Sequence, residues 1–174
     1  FSQHRQTHVP LEPRCCIADW DTGRKHLTFH WGNQASHPMR STLAARLSLK
    51  EHQLTVISPD VGGAFGQKIA VLREELTCAA LSIALQRPVR WQETRTENLM
   101  AALMAREEAI TTRAAVTSTG RILALEARIA ADFGAYCFFP ANYMARVIAM
   151  ILPGPYRIDA YAYSVDAYLT NKCP

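Results

Sequence analysis

The segment "DVGGAFGQK" at residues 60–68 is the part of the sequence best suited to bring the backbone close to another group. It follows a stretch rich in β-branched residues and precedes a helix-like repeat. Glycine adopts positive φ and has no side chain, so Gly62 and Gly63 allow a close approach. The backbone amides near Phe65 and Gly66 could then donate to an anionic or oxo ligand at the start of a helix.

Two well-known phosphate-binding motifs do not fit this loop. A P-loop places its lysine directly after the last glycine, whereas Lys68 lies two residues after Gly66 and precedes Ile69. A dinucleotide-binding fingerprint needs a glycine where Val61 stands. On the loop alone, an ordinary tight turn that packs a helix on a strand is the simpler interpretation.

The other polar clusters do not form a metal-ligand or acid–base pattern. Two histidine pairs lack a third ligand at metal-binding spacing. These pairs are His4 with His8 and His26 with His30. Glu74 and Glu75 are adjacent on a predicted helix, so we expect them to face different directions and to lie on the surface. The "DFGAY" segment at 132–136 matches a kinase triplet without the other kinase motifs, and we interpret it as a strand end followed by a tight turn.

Composition and charge indicate a folded protein that does not bind nucleic acid. The 174 residues are 49% hydrophobic and 20% charged, which is ordinary for one globular domain or two sub-lobes. The net charge of +4 comes from scattered arginines without a basic stripe. The longest apolar run, residues 147–153, is too short to span a bilayer, and the first ten residues do not resemble a signal peptide.

The five cysteines favour reduced thiols in the cytoplasm. They form no C-x-x-C pair, which argues against disulfide frameworks, zinc ribbons and iron–sulfur motifs within this chain. A cytoplasmic location is therefore expected.

Hydrophobic periodicity predicts interleaved strands and helices. Strands are expected over residues 16–21, 26–31, 53–59, 88–94 and 154–171, with a long hairpin inside 107–136 that turns at 118–120. Helices are expected over 36–50, capped by Ser36, over 69–86 and over 141–152. Because there is no strict β-α-β rhythm, the predicted class is α+β, with mixed sheets and packed helices.

Seven segments together resemble the molybdenum-binding large subunit of the xanthine dehydrogenase and aldehyde oxidase family. The second half of "HVPLEPR" and the "TNKCP" ending look more like its aldehyde-oxidising and carbon-monoxide-dehydrogenase-like members than like animal xanthine oxidases. The segments are "HVPLEPR" (8–14), "GNQASHPMR" (32–40), "DVGGAFGQK" (60–68), "RPVRWQETRTEN" (87–98), "DFGAY" (132–136), "GPYRI" (154–158) and "LTNKCP" (169–174). They extend over essentially the whole chain. The resemblance implies that residues 1–174 are one part of a molybdenum-cofactor-binding domain, truncated at both ends.

The resemblance also implies which residues bind the cofactor. Gln34 is expected beside the apical oxo group of the molybdenum, where a carboxamide donates without adding charge. The glycine loop is expected to supply backbone amides and a phenylalanine wall for the substrate pocket; its residues are Gly62, Gly63, Ala64, Phe65 and Gly66. No direct metal ligand is expected in this chain.

In the family the reaction hydroxylates an electron-poor carbon of an aldehyde or N-heterocycle with oxygen from water. The catalytic glutamate and an arginine-bearing loop are expected beyond Pro174, so the chain would be inactive alone. The implied cofactor is molybdenum–molybdopterin, in a dinucleotide form. Iron–sulfur [2Fe-2S] and FAD groups are expected on other domains or subunits, together with a small-molecule substrate and a homo-oligomer of the complete enzyme. The alternative is a non-catalytic module that binds a nucleotide or a partner through the Gly62–Gly66 loop.

Overall fold

A computed structural model describes residues 1–105, 107–138 and 141–174, and for residues 141 and 142 it describes only the backbone. The chain divides into two compact units. The glycine-loop unit is His8–Ala102, and the hairpin unit combines Phe1–Thr7 with Leu103–Pro174.

The strands and helices are interleaved along the chain, as predicted for an α+β protein. The strands are β1 (Ser2–Gln3), β2 (Gln6–Thr7), β3 (Cys15–Asp21), β4 (His26–Trp31), β5 (Leu54–Ile57), β6 (Val89–Gln92), β7 (Met104–Ala105), β8 (Glu108–Val116), β9 (Ile122–Asp132) and β10 (Ala160–Tyr168). The helices are α1 (Ser36–Arg46), α2 (Arg73–Leu85), α3 (Arg95–Ala101) and α4 (Ala141–Ile151), with a 3₁₀ turn at Glu51–Gln53.

The glycine-loop unit contains a mixed sheet in the order β5-β4-β3-β6. Strand β3 is antiparallel to both β4 and β6, whereas β5 runs parallel to β4. Leu27, Phe29 and Trp31 alternate with more exposed residues on β4 and are buried against helices α1 and α2. This confirms the predicted hairpin with one polar face, because alternate side chains of a strand point to opposite faces.

Helix α2 begins later than its hydrophobic pattern predicts. The expected helix started at Ile69, but the structure has a turn over Phe65–Lys68 and bends at Ile69 and Ala70, and the first helical residue is Arg73. Val71 and Leu72 are buried without being helical. Apolar residues in a packed turn therefore continued the helical spacing by coincidence, and the glycine loop is not at a helix start.

Helix α3 was not predicted, although its capping box is visible in the sequence. The Thr94 side chain accepts from the Glu97 amide, and the Glu97 carboxylate accepts from the Thr94 amide at 2.7 Å. Threonine followed three residues later by glutamate is the usual signature of such a helix start. Helix α3 supplies Asn98 to the polar cluster beneath the glycine loop.

The hairpin unit contains a second mixed sheet in the order β1-β8-β9-β10. Strands β8 and β9 form the predicted antiparallel hairpin, and β10 pairs with β9 in parallel. Helix α4 places Ala145 and Ala149, both buried, on one side, and the Tyr161 hydroxyl donates to the Ala149 carbonyl at 2.5 Å. A separate short pair joins β2 to β7.

The "DFGAY" segment is a strand end followed by a tight turn, as predicted. Strand β9 ends at Asp132, whose carboxylate accepts from the Gly134 amide at 2.8 Å, and Gly134 has φ of 75°.

Among the described helices, none is long and apolar enough to cross a membrane.

Candidate functional site

Gln34 lies in the connection between strand β4 and helix α1. This connection is shaped by Asn33, whose side-chain nitrogen donates to the Trp31 carbonyl at 2.9 Å. The Asn33 side-chain oxygen accepts from the Ala35 amide and from the Ser36 hydroxyl, both at 3.0 Å. The predicted cap at Ser36 is therefore wrong, because Ala35 is the N-cap. The buried Asn33 side chain provides the hydrogen bonds of the turn before the helix.

The Gln34 side chain binds the glycine loop through its oxygen atom. Its Oε1 accepts from the backbone nitrogen of Gly66 at 3.1 Å and from that of Lys68 at 3.2 Å. The backbone of Gln34 also donates to the Lys68 carbonyl at 3.1 Å. Two donors on one oxygen identify the carbonyl end of the amide, so the NH2 group is the end turned away from the loop.

Several neutral donors at this place have no partner among the described residues. They are the Gln34 NH2 group and the backbone amides of Gly63, Ala64 and Phe65. Gln34 and Phe65 are exposed, and Gly63 and Ala64 are partly buried. These groups could donate together to one ligand that presents oxygen atoms.

Gly62 is a glycine because Glu12 packs directly against it. A Cβ atom built on Gly62 would lie 2.7 Å from the Cβ of Glu12, closer than any ordinary contact. The Gly62 amide donates to the Glu12 carboxylate at 2.6 Å, and the Gly62 carbonyl accepts from the Glu12 amide at 3.2 Å. Gly62 does not have positive φ, so a glycine is required there because of the close packing of Glu12 and not because of the backbone conformation.

Gly63 and Phe65 give the loop its unusual backbone. Gly63 has φ of 99°, and a Cβ atom there would lie 3.1 Å from the Phe65 ring and 3.3 Å from Pro10. Phe65 itself has φ of 51°, which is rare for a bulky residue. Its side chain is 71% exposed. An exposed aromatic ring on a strained backbone is typical of a binding loop rather than of a core plug.

Lys68 and Glu12 form an ion pair beneath the loop. The Lys68 ammonium lies 2.9 Å from the Glu12 carboxylate, and the Lys68 side chain is 1% exposed. Burial opposes ionisation of Glu12, but hydrogen bonds from Lys68 and Gly62 outweigh it, so the pKa of the Glu12 carboxyl is below its usual value. Desolvation and the Glu12 charge raise the pKa of the neighbouring Cys15 thiol, which keeps that thiol protonated.

A buried network of polar side chains begins at Gln67 and lies beneath the glycine loop. The Gln67 side-chain oxygen accepts from Asn98 at 2.8 Å, and Asn98 also donates to Glu93 at 2.8 Å. Glu93 in turn forms an ion pair with Arg14 at 2.7 Å. All four side chains are almost fully buried, so each depends on its partners for the hydrogen bonds that water would otherwise supply.

Glu75 is buried, contrary to the expectation that it lies on the surface. Glu74 and Glu75 both lie 3.3 Å from the same nitrogen of Arg14, so the prediction that they face different places is also wrong. The helix start at Arg73 puts both carboxylates in the first turn, where Arg14 reaches them. Burial raises the pKa of Glu75 to about 7, although the Arg14 charge opposes this shift.

The whole chain matches a family of known proteins. A family model described as "Molybdopterin cofactor-binding domain" matches residues 1–174. The carbon monoxide dehydrogenase large chain of Afipia carboxidovorans is 37% identical over 175 residues, which cover 99% of this chain and 21% of that protein. The nicotine 6-hydroxylase large subunit of Paenarthrobacter nicotinovorans is 36% identical over 173 residues, which cover 98% of this chain and 21% of that protein.

Solved structures have the same fold. The chain is similar to quinoline 2-oxidoreductase from Pseudomonas putida 86, with a TM-score of 0.91 and 36% identity, over 100% of this chain and 22% of that chain. It is also similar to carbon monoxide dehydrogenase from Oligotropha carboxidovorans, with a TM-score of 0.90 and 35% identity, over 99% and 22%. The chain therefore spans about one fifth of the length of these relatives.

Proposed function

Because the chain belongs to the molybdopterin cofactor-binding domain family of molybdenum hydroxylase large subunits, we propose that it holds one wall of a molybdenum-cofactor site in a larger oxidoreductase. The observation that carries the proposal is the family match over residues 1–174, together with the outward NH2 group of Gln34 beside the glycine loop. We call the longer polypeptide that would contain this chain the complete subunit.

The residues at the glycine loop fit the chemistry of such a cofactor. Molybdopterin and its metal present oxo and phosphate oxygens, which neutral N–H donors bind without adding charge. The Gln34 NH2 group and the amides of Gly63, Ala64 and Phe65 are donors of this kind. Among the described residues, no group of three histidine, cysteine or acidic side chains is arranged to hold a metal ion. In this proposal the wall holds the cofactor through its oxygen atoms.

Each site residue has a distinct proposed role. Gln34 orients the cofactor by donation from its NH2 group, because its oxygen is already occupied by Gly66 and Lys68. Gly62 leaves room for Glu12 beneath the loop, Gly63 brings the backbone close to the cofactor, and the Ala64 carbonyl closes the turn by accepting from the Gln67 amide at 2.9 Å. The exposed Phe65 ring forms an apolar wall for substrate. When bound, the cofactor supplies the two-electron oxidation chemistry.

The finer activity is that of a hydroxylase for aldehydes or N-heterocycles that takes oxygen from water. The relatives that carry this inference are named for the oxidation of small molecules, among them carbon monoxide dehydrogenase and nicotine 6-hydroxylase. General base catalysis would come from a glutamate outside this chain. We further propose a dinucleotide form of the pterin, [2Fe-2S] and FAD groups on partner domains or subunits, a homo-oligomeric complete enzyme and a cytoplasmic location.

The competing function is a non-catalytic module that binds a nucleotide or a partner at the Gly62–Gly66 loop. Metal analysis of the purified complete subunit separates the two functions, because only the oxidoreductase requires about one molybdenum per subunit. Incubation of the enzyme with candidate aldehydes and N-heterocycles in ¹⁸O-labelled water tests the finer activity, and label is expected in the hydroxylated product. Complete subunit that is folded yet free of molybdenum would contradict the proposal.

A further inference from the structure

Lys68 connects Glu12 to Gln34 through two different parts of the same residue. Its backbone nitrogen donates to the Gln34 side-chain oxygen, and its carbonyl accepts from the Gln34 amide. Its side-chain ammonium pairs with Glu12 at 2.9 Å. A displacement of the Lys68 side chain would therefore move the backbone that holds the Gln34 carboxamide.

Glu12 fills the space between the two segments that form the site. On one side, a Cβ atom on Gly62 would lie 2.7 Å from Glu12; on the other, a Cβ atom on Gly32 would lie 3.4 Å from its Oε1 atom. Gly32 precedes Gln34 by two residues, and Gly62 belongs to the glycine loop. The Glu12 carboxylate accepts from both the Gly62 amide and the Lys68 ammonium. One carboxylate thus binds the backbone of the glycine loop and lies close to the segment that carries Gln34.

We infer that Glu12 and Lys68 are positioning residues that hold the Gln34 carboxamide in its outward orientation. This inference rests on the proposed function, in which the Gln34 NH2 group donates to the cofactor. Neither side chain touches the cofactor in this arrangement; each acts through the backbone of the loop.

The charge on the pair is what makes the arrangement rigid. The Lys68 ammonium is buried, and Glu12 is its carboxylate partner in the described part of the chain. A buried cation that loses its partner is stabilised by moving toward water, and such a movement of the Lys68 side chain displaces the loop. Removal of both charges avoids this penalty. The effects of the two substitutions should therefore depend on each other.

The first measurement is hydrogen–deuterium exchange of the complete subunit at the amides of Gly62, Gly66 and Lys68. In Glu12→Ala these amides are expected to exchange at least about tenfold faster, whereas the amides of β4 change by less than about twofold. Glu51→Ala is the matched control, because it removes a carboxylate from the exposed pair with Arg40 in the same unit. That control is expected to leave the loop exchange unchanged.

The second measurement is turnover per bound molybdenum. In Glu12→Ala we expect kcat to fall by about tenfold with KM nearly constant, since a displaced donor weakens the transition state more than substrate binding. Combined with Gln34→Ala, Glu12→Ala should cause little further loss, because Glu12 acts through Gln34. A merely structural role would give independent, multiplying losses.

A charge-matched pair of variants keeps the inference testable if Glu12→Ala does not fold. Glu12→Gln retains an acceptor for the Gly62 amide but leaves the Lys68 ammonium without its partner. Adding Lys68→Met to Glu12→Gln is expected to slow the loop exchange again, because no unpaired charge remains.

Two results would overturn the inference. One is loop exchange in Glu12→Ala and in the single variant Glu12→Gln that equals the wild-type exchange. The other is a loss of turnover in the Gln34→Ala, Glu12→Ala double variant that equals the product of the losses in the two single variants. If Gln34→Ala alone leaves turnover unchanged, the proposed role of Gln34 fails, and the exchange data still decide whether Glu12 and Lys68 hold the loop.

Discussion

The side-chain oxygen of Gln34 lies 3.1 Å from the backbone nitrogen of Gly66, so the Gln34 carboxamide is turned with its NH2 group away from the glycine loop. This relationship assigns the two ends of the amide different tasks. The oxygen orders the loop, and the nitrogen is left to donate outward. Substitutions that separate these tasks can therefore test each one.

Gln34→Ala in the complete subunit should lower turnover per molybdenum by about one to three orders of magnitude, since a well-placed donor contributes about 2 to 4 kcal/mol to the transition state. Molybdenum content should fall less, because under the proposed function other donors also hold the cofactor. Steady-state rates normalised to metal content measure the effect.

Gln34→Glu is the matched variant, because a glutamate keeps an oxygen for the Gly66 and Lys68 amides but replaces the donor by a negative charge. Exchange of those amides should stay close to wild type while turnover falls at least as far as in Gln34→Ala. Wild-type turnover in either variant would show that the NH2 group is not used.

Gly63→Val should prevent incorporation of the cofactor. Gly63 has φ of 99°, and even its Cβ atom would contact the Phe65 ring and Pro10. A β-branched residue is strained at such φ and would push the phenylalanine from its place. Elemental analysis is expected to show a several-fold loss of molybdenum from folded protein.

The control for this substitution is Gly120→Val in the hairpin turn. Gly120 has φ of 87°, and a Cβ atom added there would have nothing within 4 Å, so this position has the same backbone strain without the neighbours. The substitution should lower stability by about 1 to 3 kcal/mol and leave molybdenum content unchanged. Equal loss of metal in both variants would mean that general destabilisation, and not the loop, controls cofactor binding.

The fold was predictable where local periodicity and burial agree. The alternation of Leu27, Phe29 and Trp31 correctly indicated a strand with one buried face. Periodicity failed at Ile69–Leu72, where Ala70, Val71 and Leu72 are buried without forming a helix. The late start of α2 then brought Glu75 to Arg14, a contact between residues 61 positions apart that no local pattern reports.

The site was predictable only as far as the family resemblance reached. The resemblance proposes Gln34 and the glycine loop as cofactor-binding residues, which stays a prediction, and the structure adds the direction in which the carboxamide points. Glu12 was not predicted as a site residue, because a single glutamate in "HVPLEPR" has no spacing signal. Its role follows from contacts to Gly62 and Lys68, 50 and 56 positions away.

Glu75 should make the glycine-loop unit less stable as the pH rises through the range from about 4.5 to 7. Burial raises the pKa of Glu75 from 4.5 to about 7 in the folded protein, so the folded state holds this proton more tightly than the unfolded state. Protonated Glu75 therefore makes its full contribution to the free energy of unfolding below pH 4.5, and this contribution is lost as the pH rises through 7. The titratable groups around Glu75 are Arg14, Glu74, Cys16 and Cys78.

Glu75→Gln tests this dependence, because the amide oxygen can still accept from Arg14 but does not titrate. Between pH 5 and pH 8 the wild type should lose about 2 to 3 kcal/mol relative to this variant in the opening free energy of β4 amides. Native-state hydrogen exchange at the two pH values measures the difference. Parallel pH profiles for wild type and variant would contradict the buried, protonatable state.

Arg14→Met should destabilise the glycine-loop unit by about 3 to 5 kcal/mol, since it leaves buried carboxylates without their cation. Arg14 lies 2.7 Å from Glu93 and 3.3 Å from Glu75, and both carboxylates are almost fully buried. Arg40→Met, in the exposed pair with Glu51, should cost less than about 1 kcal/mol. The opening free energy of β4 amides compares the two variants, and equal losses would rule out a special role for the buried pair.

The 174-residue chain expressed alone should neither retain molybdenum through gel filtration nor oxidise aldehydes or N-heterocycles. Under the proposed function, the glutamate base lies elsewhere in the complete subunit. Its absence lowers the rate of oxidation by about a hundred- to ten-thousand-fold. The cofactor would also contact one wall only, with Phe65 and much of its binding surface open to water. Purified chain mixed anaerobically with intact cofactor provides the test by metal analysis and dye-linked oxidation. Stoichiometric metal with turnover would show that the site is complete within these residues.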